Sequence, residues 1–283
     1  MLSVIIAAYN EENVIGACLD ALLAQPEIEP HQVIVSANGC TDDTARVAAA
    51  RDVRVIDREE PGKAGALNAA DAVATGFPRI YLDADIIVPP GAISAILARF
   101  SGATPPLAVV PRRRMDTAGR PWLVRSYMAV SERHPAFRSG LFGRGLIALS
   151  EEGRARFGSF PSLIADDLFI DSQFTDAEKA ETSEAEVIIA APHDTRSLLN
   201  RLVRVRRGNV EMRAAAARSE TGSSVRPSDR WAWLRDVVVP QPRLAVAAVP
   251  YVVLTLLASA RARRMPAAAS AWGQDRTTRE TAE

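Results

Sequence analysis

The sequence predicts an α/β fold, a mostly parallel sheet with helices on both faces followed by a C-terminal helical extension. Three observations predict it. Short apolar runs alternate with amphipathic stretches through the first part of the chain. The runs are continuous rather than alternating, as in strands buried on both faces of a parallel sheet. A last apolar stretch, Leu244–Ala260, carries no charge and stands apart from that alternation.

Leu2–Ala7 reads as the first strand, broken by Tyr9-Asn10-Glu11-Glu12. Glu12–Gln25 follows as a helix whose stripe is Val14, Ile15, Cys18, Leu19 and Leu22. Gln32–Ala37 is the second strand; after the turn Asn38-Gly39-Cys40, Thr41 is placed to cap a helix with Asp42 and Asp43 in its first turn. Val53–Asp57 is the third strand, and the loop Pro61–Gly65 leads into the helix Ala66–Ala74. Arg79–Asp83 is the fourth strand and Pro90–Phe100 the next helix. Right-handed crossovers bring the ends of strands one, two and four to one edge of the sheet.

Beyond residue 105 the alternation is less regular. Leu107–Pro111, Leu146–Leu149 and Val187–Ala190 read as strands, and Trp122–Glu132 and Ser197–Ala217 as helices. Phe142-Gly143-Arg144-Gly145 reads as a flexible turn, Ser150 as a helix cap, and Asp166-Asp167 as a loop-to-helix junction. Thr221–Asp229 is the best linker. The expected organisation is a principal domain over 1–220, divided near 105 into two parts. An apolar helical segment over 221–265 and a disordered tail over 266–283 follow.

A chain of 283 residues suits one domain with appendages or two small ones. Its 34 Lys and Arg balance 34 Asp and Glu, which removes the overall charge that would argue for a nucleic-acid partner. Basic residues crowd instead into 196–213 and 261–264. Cys18 and Cys40 form no CxxC and have no His/Cys cluster beside them, so zinc is unsupported and a reduced cytosolic compartment is expected. Met1-Leu2-Ser3 runs straight into a strand without a basic leader, so no signal peptide is expected.

Chemistry concentrates at Leu82-Asp83-Ala84-Asp85. Side chains two apart on a strand share a side, so Asp83 and Asp85 are expected to aim together past the strand end. Converging acids repel unless a cation or a shared proton lies between them. A hard divalent ion carrying a diphosphate, or a plain acidic turn, both satisfy that motif taken alone.

With the other motifs in view, the chain resembles family 2 glycosyltransferases of the GT-A fold. Val4–Glu12 resembles their opening strand and loop, and Asn38-Gly39-Cys40-Thr41-Asp42-Asp43-Thr44 their second-strand turn. Gly62-Lys63-Ala64-Gly65-Ala66-Leu67-Asn68 is similar to their lysine loop and helix, Asp83-Ala84-Asp85 to their metal motif, and Asp166-Asp167-Leu168 to their acidic pair. The likeness covers residues 2–210, with five motifs in order. It implies an inverting transferase that moves one sugar from a nucleotide-diphosphate sugar to an acceptor hydroxyl, with manganese or magnesium. The acceptor would be a glycan, a lipid-linked precursor or a small molecule.

The same resemblance implies that 1–220 is the catalytic domain, with a nucleotide-binding part over about 1–105 and an acceptor-binding part over about 106–220, and it implies residue roles. Asp85 and Asp83 would hold the ion, Asp83 also reaching the ribose; Lys63 would meet the diphosphate or the base; Ala7, Tyr9, Glu11 and Asn38 would line the nucleoside. Asn38 departs from the aspartate usual in the family, which opens the identity of the base. Asp167 would be the base that takes the acceptor proton, with Asp166 raising its proton affinity or orienting the acceptor; the competing reading is an acidic first helical turn. Arg204 and Arg207 would close over the diphosphate; a solvated basic face, or one that meets anionic lipid, is the competing reading. No tryptophan follows those arginines as in processive synthases, which argues for single-sugar transfer. His193 reads as a surface histidine rather than a third metal ligand.

Three other readings compete. A phosphoryl transferase with D-x-D would carry it on the first strand, and a sugar nucleotidyltransferase would place a glycine-rich loop after that strand; this chain has Ala8-Tyr9-Asn10-Glu11 there. An inactive scaffold of the same fold would be free to lose Asp83, Asp85 and Asp167, which are all present.

Leu244–Ala260, interrupted by Pro250, is flanked by Arg243 and by Arg261, Arg263 and Arg264, with Trp231 and Trp233 upstream. The run just reaches the length of a bilayer span. Nucleotide sugars are cytosolic, and a single span would place the terminal arginines outside, against the positive-inside tendency. The expectation is therefore a segment over 231–264 lying in or dipping into the inner leaflet of the plasma membrane; a helix packed on the protein or a dimer contact is the competing reading.

Overall fold

The computed structural model describes residues 1–162, 165–218 and 229–264. The linker expected at 221–229, apart from its last residue, and the tail expected at 266–283 lie outside the described residues. The chain forms two compact units that interleave along the sequence: Met1–Arg113 with Leu141–Ile189, and Arg114–Gly140 with Ala190–Glu283.

The first unit is built on β1 (Ser3–Ala8), α1 (Ile15–Leu23), β2 (Val33–Asn38), α2 (Thr44–Ala49), β3 (Arg54–Arg58), α3 (Lys63–Asp71), β4 (Arg79–Asp83) and α4 (Ala92–Phe100). It continues through β5 (Ala108–Asp116), after which the chain leaves it for α5 (Trp122–Ser131) and α6 (Ala136–Ser139). The return brings β6 (Leu146–Leu149), α7 (Glu151–Arg154), α8 (Asp166–Ser172) and β7 (Lys179–Ala190). The second unit ends in α9 (Thr195–Ala217) and α10 (Ala245–Arg264).

The sheet runs β3-β2-β1-β4-β6-β5-β7. β1 pairs in parallel with β2 and β4, and β2 in parallel with β3. β6 enters antiparallel between β4 and β5. The mostly parallel α/β reading thus stands, with antiparallel pairing where β6 meets β4 and β5. Every residue of β1 and β2 is buried, which is why both read as unbroken apolar runs. Val4 and Ile6 of β1 pack with Cys18, Leu19 and Leu22 of α1, Ile80 and Leu82 of β4, and Ile93 and Ile96 of α4. Each such Val, Ile or Leu side chain, fully buried, stabilises the fold by about 1.5–3 kcal/mol. Register then sets the site: Ala7 stands opposite both Ser36 and Asp83, so the ends of β1, β2 and β4 reach the same edge.

Several boundaries differ from expectation for local reasons. α2 begins at Thr44, not behind a Thr41 cap, because the Thr41 N–H is drawn to Asn10 Oδ1 (2.8 Å) while Asp42 Oδ1 accepts from Thr44 N–H (3.1 Å). α3 begins at Lys63 rather than Ala66: Gly62, at φ 143°, turns the chain and its carbonyl already receives the Ala66 N–H. β7 is far longer than Val187–Ala190, because its outer half, Lys179–Glu186, is polar and lacked an apolar run. Ser150 does cap α7, accepting from Gly153 N–H at 3.0 Å.

Candidate active site

Asp83 is the last residue of β4, and its N–H is held by the Gly145 carbonyl at 2.8 Å. Its Oδ1 lies 2.8 Å from the ammonium of Lys63, which opens α3. The same ammonium lies 2.9 Å from Oδ2 of Asp166, the first residue of α8. One cation therefore ties together acids from the last two motifs of the series, separated in sequence but adjacent in space. Burial by itself would depress the Lys63 ammonium, but Asp166 and Asp83 outweigh it and hold the group well above the usual lysine range. Lys63 is charged at any working pH.

Asp85 is exposed, and it does not extend β4. The chain turns at once, with Ile86 N–H donating to the Asp83 carbonyl at 3.2 Å. The alternation of side chains along a strand thus ends at Asp83, and the turn, not the strand period, sets the direction of Asp85.

Asp167 sits in the first turn of α8. Its Oδ2 accepts from Gly143 N–H (2.8 Å) and its Oδ1 from Leu168 N–H (2.8 Å). Burial, reinforced by the charge of Asp166, pushes its carboxyl up to about 6, against the opposing pull of the Gly143 hydrogen bond and of Lys63. A carboxyl so placed exchanges a proton near neutral pH, the property a general base needs. Neither acid caps the helix from outside; the capping position is Ala165.

The turn 142–145, expected to be flexible, is held on every side. Gly143 donates to Asp167 and its carbonyl accepts from Arg113 (3.1 Å). Arg144 is buried, bonded to the Pro111 carbonyl (3.0 Å) and paired with Glu181. Gly145 sits at φ 70°, and a Cβ there would also meet the buried Ile86 side chain at 2.5 Å, so any larger residue strains the backbone and displaces Ile86.

A second set of residues, missed at the level of sequence, supports the acids. Asn68 of α3 and the backbone of Phe160 exchange two hydrogen bonds, of 3.0 and 2.7 Å. Phe160 packs edge-on against Phe157 and Phe169, the latter on α8. At the end of α3, buried Asp71 pairs with Arg79 and Arg154 and accepts from the Tyr81 hydroxyl (3.2 Å). Arg154 in turn holds the carbonyls of Phe157 (2.6 Å) and Gly158 (2.8 Å). Nothing in the local pattern marks Asp71 or Arg154; Asn68 is signalled only by its place in the lysine motif.

The expected nucleoside-lining residues share the same sheet edge. Ala7 and Glu11 are buried and Tyr9 is half-buried; Glu11 N–H donates to Thr44 Oγ1 (2.7 Å). Asn38 is fully buried. Its amide nitrogen donates to the Ala8 carbonyl (2.6 Å) and its oxygen accepts from Gly62 N–H (2.9 Å). An amide is required for that brace, because a carboxylate would have no proton to offer Ala8. Arg204 and Arg207 lie half-buried on α9, in the second unit. His193, also in that unit, lies 3.0 Å from Arg120.

Among the described residues no group of three or more His, Cys, Asp or Glu gathers as a complete metal cage. Asp83 and Asp85 supply two hard oxygen donors at one strand end. That donor set suits a magnesium- or manganese-type ion, which binds through one or two carboxylates and completes its shell with phosphate and water.

The model of glycosyl transferase family 2 matches residues 3–160, more than half of the chain. Glucosyl-3-phosphoglycerate synthase of Mycolicibacterium paratuberculosis is 33% identical over 96 residues, which are 31% of this chain and 29% of that protein. Chondroitin synthase of Pasteurella multocida is 32% identical over 105 residues, 35% of this chain and 11% of that one. The chain thus matches less than a third of the length of these curated relatives. Among solved structures, a mannosyltransferase from Pyrobaculum calidifontis in complex with GDP-Man and Mn2+ is similar at a TM-score of 0.60 and 22% identity, over 96% of this chain and 77% of that one. Glucosyl-3-phosphoglycerate synthase from Mycobacterium tuberculosis in complex with phosphoglyceric acid gives 0.55 and 21%, over 79% and 81%. The fold is that of the GT-A glycosyltransferases, and the chain belongs to glycosyl transferase family 2.

Proposed function

We propose that this family 2 glycosyltransferase moves a single sugar from a nucleotide-diphosphate sugar to an acceptor hydroxyl with inversion, in the synthesis of a glycan, glycolipid or glycoconjugate. The observation that carries the reading is the Lys63 ammonium shared between Asp83 and Asp166, 2.8 and 2.9 Å away. It joins the strand end where a diphosphate would lie to the helix that bears the acid pair. The mannosyltransferase structure named above, which holds GDP-Man and Mn2+, supports the same donor class and metal.

In this proposal Asp85 and Asp83 hold a divalent ion. Once bound, that ion stabilises the negative charge developing on the departing diphosphate. Lys63 adds a fixed positive charge to the same diphosphate. Tyr9 packs on the nucleobase, and Ala7, Glu11 and Asn38 shape the nucleoside end, Asn38 through its brace between Ala8 and Gly62. Arg204 and Arg207 of α9 serve the donor diphosphate. Asp167 takes the proton of the acceptor hydroxyl as its oxygen attacks the anomeric carbon; the bond to the diphosphate breaks, and the electron pair leaves with the diphosphate. Asp166 keeps Asp167 basic and orients the acceptor. The reaction takes place on the cytosolic side, with the segment 231–264 against the inner face of the membrane; Pro242–Arg264 is a helix long and apolar enough to cross one.

A thermal-shift screen of UDP, GDP, dTDP and CDP, each with and without manganese, tests this reading. One nucleotide is expected to stabilise the protein only with the metal, by about 2.7 kcal/mol at a hundredfold excess over its dissociation constant. No shift with any of the four overturns the donor assignment.

A further inference from the structure

α10 has two unlike faces. Ala248, Leu254 and Ala258 are buried. That side packs on α5 and α9: Tyr251 stacks on Tyr127 with ring centroids 5.0 Å apart, and Ala258 clusters with Leu199 and Val203. On the other side Val246, Val249, Val253, Leu256 and Leu257 are between 47% and 70% exposed. At 100° per residue these five fall within an arc of about 100°, one continuous apolar stripe along the helix. Exposed Arg264 continues the line of that stripe at the C-terminal end, with Arg261 and Arg263 beside it; exposed Arg243 stands before the helix. From residue 237 to 264 there is no Asp or Glu.

A soluble surface does not ordinarily leave such a stripe bare. The fringe of arginines without a single carboxylate is complementary to anionic lipid headgroups. The packing decides between spanning the bilayer and lying on it. α9, against which α10 is packed along its buried side, carries Arg196, Arg201, Arg204, Arg206, Arg207 and Arg213. Crossing the bilayer would strip α10 from α9 or drag those arginines into hydrocarbon, and both are costly. Lying flat costs neither, because only the bare stripe enters the acyl boundary while the arginines meet the headgroups.

We propose that the α10 stripe is a monotopic docking surface for anionic phospholipid, with Val246, Val249, Val253, Leu256 and Leu257 inserted and Arg243, Arg261, Arg263 and Arg264 at the headgroups. The inference refines the membrane contact proposed above. Its outcome does not depend on the donor chemistry, since lipid binding is measured without nucleotide or metal.

The test is co-sedimentation of the full chain with phosphatidylcholine vesicles, with and without roughly a third phosphatidylglycerol. The wild type is expected to pellet with the anionic vesicles, less so at high salt, and to be released by alkaline carbonate. The double variant Val253→Glu/Leu256→Glu, both positions exposed, is expected to keep its circular dichroism and melting temperature and to bind at least tenfold more weakly. Arg261→Gln/Arg263→Gln/Arg264→Gln is expected to lose roughly a hundredfold on anionic vesicles and little on neutral ones. Wild-type protein that stays in the supernatant, or a glutamate variant that pellets normally, overturns the proposal. Resistance to carbonate would make α10 a span, and a dimer that the glutamate variant converts to monomer without change in pelleting would make the stripe a self-association face; either result replaces it.

Discussion

Asn68 and Phe160 hold each other through a reciprocal pair of hydrogen bonds, the Asn68 amide donating to the Phe160 carbonyl at 3.0 Å and accepting from its N–H at 2.7 Å. Asn68 belongs to the helix that opens with Lys63, and Phe160 packs against Phe169 on the helix that opens with Asp166 and Asp167. The pair thereby couples the lysine to the acids through rigid elements. Asn68→Ala leaves both backbone groups of Phe160 without this partner, a loss of about 1–3 kcal/mol. A lower melting temperature is expected, with kcat down at least tenfold and nucleotide affinity within about twofold of wild type. Steady-state kinetics beside calorimetric donor binding reads both; unchanged kcat would remove the positioning role.

Lys63→Met takes away the one charge that Asp83 and Asp166 share. Hydrogen bonds to charged groups are worth about 1.5–3 kcal/mol, so nucleoside-diphosphate affinity is expected to fall at least tenfold by calorimetry. Lys63→Arg restores the charge but not the compact ammonium and should recover only part of it. Full affinity in Lys63→Met would mean that the lysine braces the acids and does not meet the donor.

The pH dependence follows from Asp167, whose carboxyl burial and Asp166 push up from 3.8 to about 6. The base form is the carboxylate, so kcat/KM is expected to rise with pH through about 6 and level off above it. Asp166→Asn removes the neighbouring negative charge and leaves more of the Lys63 field to Asp167, and both effects move the acidic limb to lower pH. The stability contribution has the opposite sign: between 3.8 and about 6 the folded protein holds this proton more tightly than the unfolded chain, so the group favours folding below that window and loses the advantage as pH rises through it. Asp167→Asn is expected to bind donor normally and to lose about two to four orders of magnitude in transfer at every pH. A profile flat from pH 5 to 8 would count against Asp167 as base.

Asp85→Ala removes an exposed side chain and leaves the Lys63 contact of Asp83 in place. Metal-dependent nucleotide binding should disappear while weak metal-independent binding through Lys63 remains. Manganese titration in the presence of nucleotide distinguishes this from a purely structural turn, for which both would persist.

Much of this was legible in the sequence. β1 is apolar over nearly its full length and β4 has an apolar centre bounded by Arg79 and Asp83, and their limits could be read to within a residue. β7 could not, because an edge strand with a polar outer half leaves no apolar run to detect. The start of α3 was masked by Gly62, whose φ of 143° lets the helix begin at once behind what reads as a loop. The acids and the lysine were individually visible as motifs, whereas Asp71 and Arg154 were not, and Asn68 and the 142–145 turn were visible without the contacts that give them their roles. They act through partners that are far away in sequence.

The amino-acid sequence by itself determined the parallel α/β core and the family, because strand burial and motif order are written in short stretches of chain. The tertiary structure alone decided that Lys63 lies between Asp83 and Asp166, that Gly143 and Asp166 share in setting the proton affinity of Asp167, and that one face of α10 is covered while the other is bare. The physical reason is range. Periodicity and turn chemistry act over a few residues, whereas charge coupling and burial depend on which distant segments the folded chain brings within a few ångströms.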